Sequence, residues 1–157
     1  MKIWILHDTK FGNGKNLAEQ LAKTYSDGDV VKIGHVKEIN PKIVINDKPD
    51  VLILGGAVRM FRGAPASKKF LKKLTKIARK TNQTIPGGIV FLTHGLPTDK
   101  VQGFARRYWN KMSRSPAIVR TYPQWITAKV VGQEGPFDEG EVEKVIKQVK
   151  TFQSWMN

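Results

Sequence analysis

The stretch Thr9-Lys10-Phe11-Gly12-Asn13-Gly14-Lys15 joins a predicted strand to a predicted helix. Before it, residues 3–6 are continuously apolar, as in a strand that is buried on both faces of a parallel sheet. After it, apolar residues recur at helical spacing from Leu17 to Tyr25. The first turn of a helix presents unpaired N–H groups and the positive end of the helix dipole. The stretch therefore predicts an anion-binding loop, and we interpret it as a loop that holds a phosphate.

The residue types in this loop suit a phosphate. Gly12 and Gly14 lack the Cβ atoms that keep backbone amides away from an anion, and Thr9 and Asn13 can add side-chain hydrogen bonds. A plain tight turn capped by Asn13 is the structural alternative. The loop is not a nucleotide triphosphatase loop, because no Gly-Lys-Ser/Thr sequence ends it, and it lacks the third glycine of the dinucleotide fingerprint.

Composition limits the function classes. The 157 residues fit one domain, residues 1–157, and the absence of cysteine excludes disulfides, cysteine-ligated iron–sulfur clusters and a catalytic thiol. No histidine has a partner at metal-ligand spacing, so we predict no metal site. The first apolar run is too short for a signal peptide and no stretch approaches membrane-spanning length, so we expect a cytoplasmic protein without membrane insertion.

Charge predicts an anionic partner. Lys and Arg number 27 against 13 Asp and Glu, which gives a net charge of +14. Such an excess favours an acidic protein, a nucleic acid or a membrane surface, and charge alone does not choose among them. No feature of the sequence indicates an oligomeric state.

Apolar patterns predict an α/β fold. We expect five strands that alternate with helices, a parallel sheet with helices on both faces, and the strand order 2-1-3-4-5. Ligands in such folds bind outside the carboxyl ends of the strands, where the loops at residues 9–15, 57–64 and 94–98 would meet. The predicted strands are 3–6, 30–34, 51–54, 89–93 and 126–131, and the main predicted helices are 65–82, 98–112 and 139 onward. The segment 35–49 is predicted to be a short helix limited by Pro41 plus a loop, 85–88 a turn, and 113–123 an irregular connection.

Three motifs resemble the flavodoxin family. The stretch Thr9-Lys10-Phe11-Gly12-Asn13-Gly14 resembles its phosphate loop. Residues 50–55 followed by Val58-Arg59-Met60-Phe61-Arg62-Gly63 are similar to its third strand and flavin-flanking loop, and Gly132-Gln133-Glu134-Gly135-Pro136-Phe137 is similar to the segment before its last helix. The resemblance covers essentially the whole chain. It implies a flavodoxin-like three-layer sandwich that binds FMN without a covalent link.

The resemblance also implies a set of cofactor-binding residues. Gly14 stands where the family usually has a phosphate-binding threonine, and Lys10 and Lys15 can compensate by adding positive charge. His94 is in addition a candidate proton donor, and no catalytic residue is assigned. Carried over by position, Thr9, Lys10, Phe11, Gly12, Asn13 and Gly14 hold the phosphate, Val58, Arg59, Met60 and Phe61 flank the flavin ring with Met60 or Phe61 stacked on it, and Thr93, His94 and Gly95 line its other edge.

The expected function is therefore redox chemistry through FMN, as an electron carrier or as a small FMN-dependent oxidoreductase. The absence of a second nucleotide motif favours the carrier, whereas residues 58–61 are also similar to the loop of flavodoxin-like protoporphyrinogen oxidases. Electron carriers of the family are typically acidic, so this basic chain predicts an acidic redox partner. The alternative is a flavin-free module whose basic surface binds an acidic partner or nucleic acid. For nucleic acid, Tyr108, Trp109, Tyr122 and Trp125 are interleaved with arginines.

Overall fold

A computed structural model describes residues 1–157. The chain forms strands β1 to β7 and helices α1 to α5, and a 3-10 turn at Thr98–Lys100 precedes the fourth helix. The strands are β1 Lys2–His7, β2 Val30–His35, β3 Val51–Arg59, β4 Arg62–Gly63, β5 Ile85–His94, β6 Ile118–Thr121 and β7 Ile126–Lys129. The helices are α1 Asn13–Ala22, α2 Pro41–Asn46, α3 Pro65–Thr81, α4 Gln102–Ser113 and α5 Glu141–Met156.

The sheet confirms the predicted order. Its strands run β2-β1-β3-β5, and the fifth position is shared by two short strands, β6 and β7. All of these pairs are parallel. The strand β6 pairs with the first half of β5, from Ile85 to Gly88, and β7 pairs with its second half, from Phe91 to His94. The short strand β4 pairs antiparallel with the end of β3 and forms a hairpin with it.

Side chains that alternate along the strands fill a core on each face of the sheet. In β1, Ile3 and Ile5 pack into one core while Trp4 and Leu6 pack into the other, as the two-residue period of a strand requires. The first core holds α1 and α5, through residues such as Leu17, Leu21, Val145, Val149 and Phe152. The second holds α2, α3 and α4, through residues such as Val44, Phe70, Leu74, Tyr108 and Met112. The predicted three-layer sandwich is confirmed.

The turn predicted at residues 85–88 is wrong, because these residues begin β5. Pro86 is exposed, and the ladder with β3 starts one residue later, so its missing N–H costs no bond in that ladder. A Cβ on Gly87 would lie 2.1 Å from the Met156 sulfur, and one on Gly88 would lie 2.8 Å from the Met112 sulfur. These glycines therefore serve the close approach of α5 and α4 to the two faces of the sheet.

Three further boundaries differ from the prediction. The irregular connection expected at 113–123 contains β6, an edge strand whose Val119 and Arg120 are exposed, so its apolar pattern is weak. Pro41 begins α2 and does not limit it, and the Asn40 side chain caps the helix by accepting from the Lys42 N–H at 2.9 Å. The third strand continues past residue 54 to Arg59, because residues up to Ala57 still pair with β5.

Candidate functional site

A cleft of about 790 Å³ lies at the carboxyl ends of β1, β3 and β5. The three predicted loops meet there, as the strand order requires. Two predicted residues do not line the cleft: Gly12, which precedes α1, and Phe61, which lies at the tip of the β3–β4 hairpin. The predicted residues that do line it are Thr9, Lys10, Phe11, Asn13, Gly14, Val58, Arg59, Met60, Thr93, His94 and Gly95.

The loop at residues 9–15 has the geometry of an anion site. Gly12 precedes α1 with φ of 95°, a left-handed conformation that side chains disfavour, and no acidic residue occupies the first turn of the helix. The first intrahelical bond runs from the Asn16 N–H to the Gly12 carbonyl, so the preceding amides have no helical partner. Thr9 Oγ1 is buried and has no hydrogen-bond partner. A buried hydroxyl without a partner is costly, and a phosphate oxygen would satisfy it.

Two histidines hold the loop at residues 9–15 through hydrogen bonds to the Thr9 backbone. His7 Nδ1 accepts from the Thr9 N–H at 3.3 Å. His35 Nδ1 accepts from the Lys37 N–H at 3.1 Å, so the neutral ring carries its proton on Nε2 and donates it to the Thr9 carbonyl at 2.8 Å. The two rings meet edge to face with centroids 5.2 Å apart. Burial, followed by the nearby His35 and Lys15, lowers the pKa of His7 to about 4, so it is a neutral acceptor at pH 7.

Asn13 bridges the loop to a segment that sequence reasoning did not place in the site. Its Nδ2 donates to the Gln133 carbonyl at 2.8 Å, which ties α1 to the chain after β7. The residues Val130, Val131, Gly132 and Gln133 consequently line the cleft. Resemblance had pointed to Gly132-Gln133 as a family-like segment, and only the fold shows that it closes the cleft beside the loop at residues 9–15.

Asp8 was also missed, and it connects the two main loops of the site. The residue is 2% exposed. Its Oδ2 accepts from the Ala57 N–H at 3.2 Å, and its backbone carbonyl accepts from Arg59 Nη2 at 2.6 Å. Burial raises the pKa of Asp8, while the Arg59 guanidinium, 3.7 Å from Oδ1, opposes that shift. Arg59 is thereby held on Asp8, so its charge is partly balanced within the cleft.

The β3–β4 hairpin turns through Met60 and Phe61, and both have positive φ, 48° and 59°. Two-residue hairpin turns of this kind favour Asn-Gly, because a left-handed conformation costs other residues about 1–2 kcal/mol each. Both side chains project into solvent, with 92% of Met60 and 79% of Phe61 exposed. Met60 also lines the cleft. The hairpin therefore places two large apolar side chains, in strained backbone, at the mouth of the cleft.

The His94 ring donates one hydrogen bond and leaves its second nitrogen without a partner. Its Nδ1 lies 2.7 Å from the Leu96 carbonyl, which can only accept, so Nδ1 carries the proton. Its Nε2 is buried without a partner, and the residue is 2% exposed. Burial lowers the pKa of His94, which keeps the ring neutral near pH 7. This state does not favour the predicted role as a proton donor, because Nε2 carries no proton to give.

The structure shows neither a metal-binding cluster nor a membrane-spanning helix. No group of three or more His, Cys, Asp or Glu side chains is arranged to hold a metal ion. No helix combines the length and the apolar character needed to cross a bilayer.

The strand order and the two helical layers define a flavodoxin-like fold, and the cleft lies where ligands of such folds bind. Solved structures of flavodoxins match this fold. Flavodoxin 2 from Bacillus cereus matches with a TM-score of 0.72 and 15% identity over 98% of this chain and 99% of that chain. The two-electron reduced flavodoxin of Megasphaera elsdenii matches with a TM-score of 0.66 and 15% identity over 95% of this chain and 98% of that chain. No family model and no curated protein matches the sequence.

The same fold also matches part of a larger protein. Rubredoxin oxygen:oxidoreductase from Desulfovibrio gigas matches with a TM-score of 0.70 and 17% identity over 99% of this chain. The match covers 36% of that protein, so this chain corresponds to about a third of its length. At these identities the likeness shows the fold, and the predicted flavodoxin-like fold is confirmed.

Proposed function

We propose that the chain binds FMN non-covalently in the cleft and is an electron carrier. The observation that carries the proposal is the buried Thr9 hydroxyl without a partner, in a glycine-containing loop at the amino end of α1. This arrangement suits a phosphate, and the cleft beside it lies where ligands of this fold class bind. The flavodoxins that share the fold over nearly their whole length support a flavin as the rest of the ligand.

Phosphate binding in this proposal uses charges and donors of one loop. The N–H groups at the start of α1 and the Thr9 hydroxyl donate hydrogen bonds to the phosphate. Lys10 and Lys15 flank them with exposed positive charge, and the Lys10 ammonium also lies 5.4 Å from the Phe11 ring centroid. His7 and His35 fix the backbone of Thr9, so the loop is organised before the ligand arrives, which lowers the entropic cost of binding.

The remaining predicted residues flank the flavin ring in this proposal. Val58, Arg59 and Met60 lie on one side of the cleft and Thr93, His94 and Gly95 lie on the other. The buried Nε2 of His94 suits an N–H donor of the ligand, because it has no partner within the chain. Met60 is the residue assigned to stack on the ring, and its side chain is 92% exposed, so stacking would disrupt little packing within the chain. Bound FMN supplies one-electron and two-electron transfer, while the chain positions it and limits its contact with water.

A titration with FMN and with riboflavin tests the proposal. We expect the purified protein to be yellow or to take up FMN, with quenching of flavin fluorescence, and to bind riboflavin at least about tenfold more weakly because the phosphate contacts are lost. Equal affinity for the two flavins would contradict the phosphate site. Colourless protein that ignores FMN would contradict the function and favour the flavin-free module that uses its basic surface for binding.

A further inference from the structure

The net positive charge of this protein is confined to one part of the chain. Residues 59–125 contain fifteen of the 27 Lys and Arg and one of the 13 Asp and Glu, Asp99, which accounts for the whole net charge of +14. The remaining residues contain twelve basic and twelve acidic side chains. The segment 59–125 includes α3 and α4, which cover one face of the sheet, whereas α1 and α5 cover the other. The net positive charge of the protein therefore lies in the part of the chain that carries α3 and α4.

The cations of this segment have almost no counter-charges. Of the fifteen cations in residues 59–125, Arg59 pairs with Asp8 in the cleft, and none of the other fourteen forms an ion pair. Exposed cations follow one another along α3 and α4 without an acidic residue on either helix, which is destabilising through like-charge repulsion. The exposed cations of the two helices are Lys69, Lys72, Lys73, Lys76, Arg79, Lys80, Arg106, Arg107 and Lys111.

The cations crowd most closely next to the hairpin. Lys68 of α3 is half-buried, and after burial itself the charges of Arg107, Lys111 and Arg62 lower its pKa. Arg62 directly follows Phe61, so the hairpin tip borders this crowded group. The hairpin rests on α4, since a Cβ on Gly63 would lie 2.9 Å from Phe104 Cβ. We call Met60, Phe61, Arg62, Lys68, Arg107 and Lys111 the hairpin–α4 surface.

We propose that the hairpin–α4 surface docks an acidic electron-transfer protein, an inference that rests on the proposed function. Two exposed apolar side chains with an adjoining group of Lys and Arg have the composition of a protein interface, with an apolar centre and a charged rim. Charge complementarity selects the partner, because an acidic protein gains from a cationic surface that has no counter-charge of its own. Met60 belongs both to this surface and to the cleft, so a partner seated here would lie beside the proposed cofactor.

A nucleic acid fits this surface less well. Single-stranded nucleic acid needs aromatic faces on which bases stack, and the aromatic residues predicted for that role are occupied elsewhere. Tyr108 and Tyr122 are buried. The indole N–H of Trp109 donates to the Tyr122 carbonyl at 2.7 Å, and that of Trp125 donates to the Gln102 side chain at 2.9 Å. Phe61 is the one aromatic residue that the hairpin–α4 surface exposes.

Nuclear magnetic resonance locates the docking surface directly. The nitrogen-15-labelled protein is titrated at low salt with an acidic two-iron ferredoxin, and the amide signals that broaden or shift are mapped. We expect changes at the hairpin–α4 surface and none on the exposed sides of α1 and α5. Raising the salt from about 50 to about 200 mM should weaken binding at least about tenfold, because exposed charges are then screened. No binding at low salt, or changes centred on α1 and α5, would overturn the proposal.

Charge reversal provides a matched pair of variants. The double variant Arg62→Glu, Arg107→Glu should weaken ferredoxin binding at least about tenfold. The control Lys147→Glu, Lys150→Glu makes the same change in net charge at exposed positions of α5 and should change binding less than about twofold. Equal effects of the two doubles would show that net charge alone attracts the partner and would overturn the assigned surface. Circular dichroism checks that both variants are folded.

Two further measurements separate this inference from its rivals. Phe61→Ser should weaken binding without changing its salt dependence, because it removes apolar contact and no charge. A short DNA duplex that binds more tightly than the ferredoxin and displaces it would overturn the proposal in favour of nucleic acid. FMN affinity is measured separately on each variant. Normal FMN binding with no docking contradicts only the surface, whereas docking by a protein that ignores FMN contradicts only the proposed function.

Discussion

The two loops that follow β1 and β3 lie at the same edge of the sheet, yet they are held in different ways. The loop at residues 9–15 is fixed by His7, His35 and Gln133, which lie on three other parts of the chain. The β3–β4 hairpin is held by pairing within itself, by the contacts of its base with Asp8 and by the packing of Gly63 on α4, and its tip is exposed to solvent. One loop is anchored to other parts of the chain, whereas the tip of the other is exposed.

Backbone strain follows the same division. The anchored loop puts its positive φ at Gly12, where the conformation costs little. The hairpin puts positive φ at Met60 and Phe61, where it costs about 1–2 kcal/mol per residue and no buried contact offsets it. Strained conformations of this kind cluster at functional sites, because a residue better suited to the backbone would stabilise the fold. The difference indicates that the hairpin is shaped for a contact outside the chain.

The largest expected effect is a loss of stability in acid, caused by His7, which anchors the loop at residues 9–15. The pKa of His7 is lowered to about 4 in the folded protein by burial and by the nearby His35 and Lys15. A lowered histidine pKa means that stability is complete above the unfolded value of about 6.5 and is lost as the pH falls from there through about 4. We expect a loss of up to about 3 kcal/mol in the free energy of unfolding over that range, measured by urea denaturation.

The variant His7→Asn isolates this contribution. An asparagine side-chain oxygen can accept from the Thr9 N–H as Nδ1 does, and it does not titrate. Asp8 acts in the opposite direction, since its pKa is raised by burial, and it is present in both proteins. The difference between the two pH profiles therefore reports His7. Parallel profiles would contradict the assignment of His7 as a buried neutral anchor.

The second test concerns Thr9 itself. Thr9→Val keeps the shape of the side chain and removes a buried hydroxyl that has no partner in the chain. FMN affinity should fall by about 2 kcal/mol, roughly 30-fold, because a charge-assisted hydrogen bond is lost. Stability without ligand should stay equal or rise, since no protein hydrogen bond is broken. Thr9→Ser is the matched control and should bind nearly as the unaltered protein does. Unchanged FMN affinity in Thr9→Val would contradict the phosphate assignment.

The third test concerns the two strained residues of the hairpin. Replacing Met60 by Asn and Phe61 by Gly supplies the residues that favour this turn, so the free energy of unfolding should rise by about 1.5 kcal/mol in urea denaturation. FMN affinity should fall a few-fold, since the residue assigned to stack on the ring is gone. The single variant Phe61→Gly is the control, because it relieves strain and keeps Met60. A decrease in stability would show that the two side chains stabilise the hairpin by packing.

Sequence patterns predicted where these two loops lie, although not the β3–β4 hairpin, because each loop follows a local apolar run. The apolar runs of β1 and β3 are buried on both faces, and the glycines at 12 and 14 mark the entry to α1. Asp8 and His35 escaped prediction because their roles arise only when neighbouring strands meet, and nothing nearby in the sequence marks such contacts. Each acts through a backbone group of another loop or strand.

Errors in the fold have equally specific causes. Gly87 and Gly88 were assigned to a turn because a glycine that permits close packing looks the same in sequence as one that permits a turn. The strand β6 was missed because this edge strand exposes two consecutive side chains, Val119 and Arg120, and its four residues give little periodicity. Thr9 Oγ1 and His94 Nε2 are buried without a hydrogen-bond partner, and this makes them the best candidates for contacts with a ligand. Nothing in the sequence marks either atom as unpaired.

Gly14 is the position where this loop departs from the phosphate loops that it resembles. Substitutions there should have the smallest effect on FMN affinity, and they distinguish a new hydrogen bond to the phosphate from a more stable helix. A Cβ added at Gly14 would lie 3.4 Å from His7 Cβ and 3.6 Å from Thr9 Cβ, which are ordinary contacts. Gly14→Thr should therefore fold and raise FMN affinity by about 1 kcal/mol, roughly fivefold, in a fluorescence titration. Gly14→Val has the same shape without the hydroxyl and should not raise it. An equal gain in both variants would mean that a better-formed helix, and not a new hydrogen bond, improves the anchored loop.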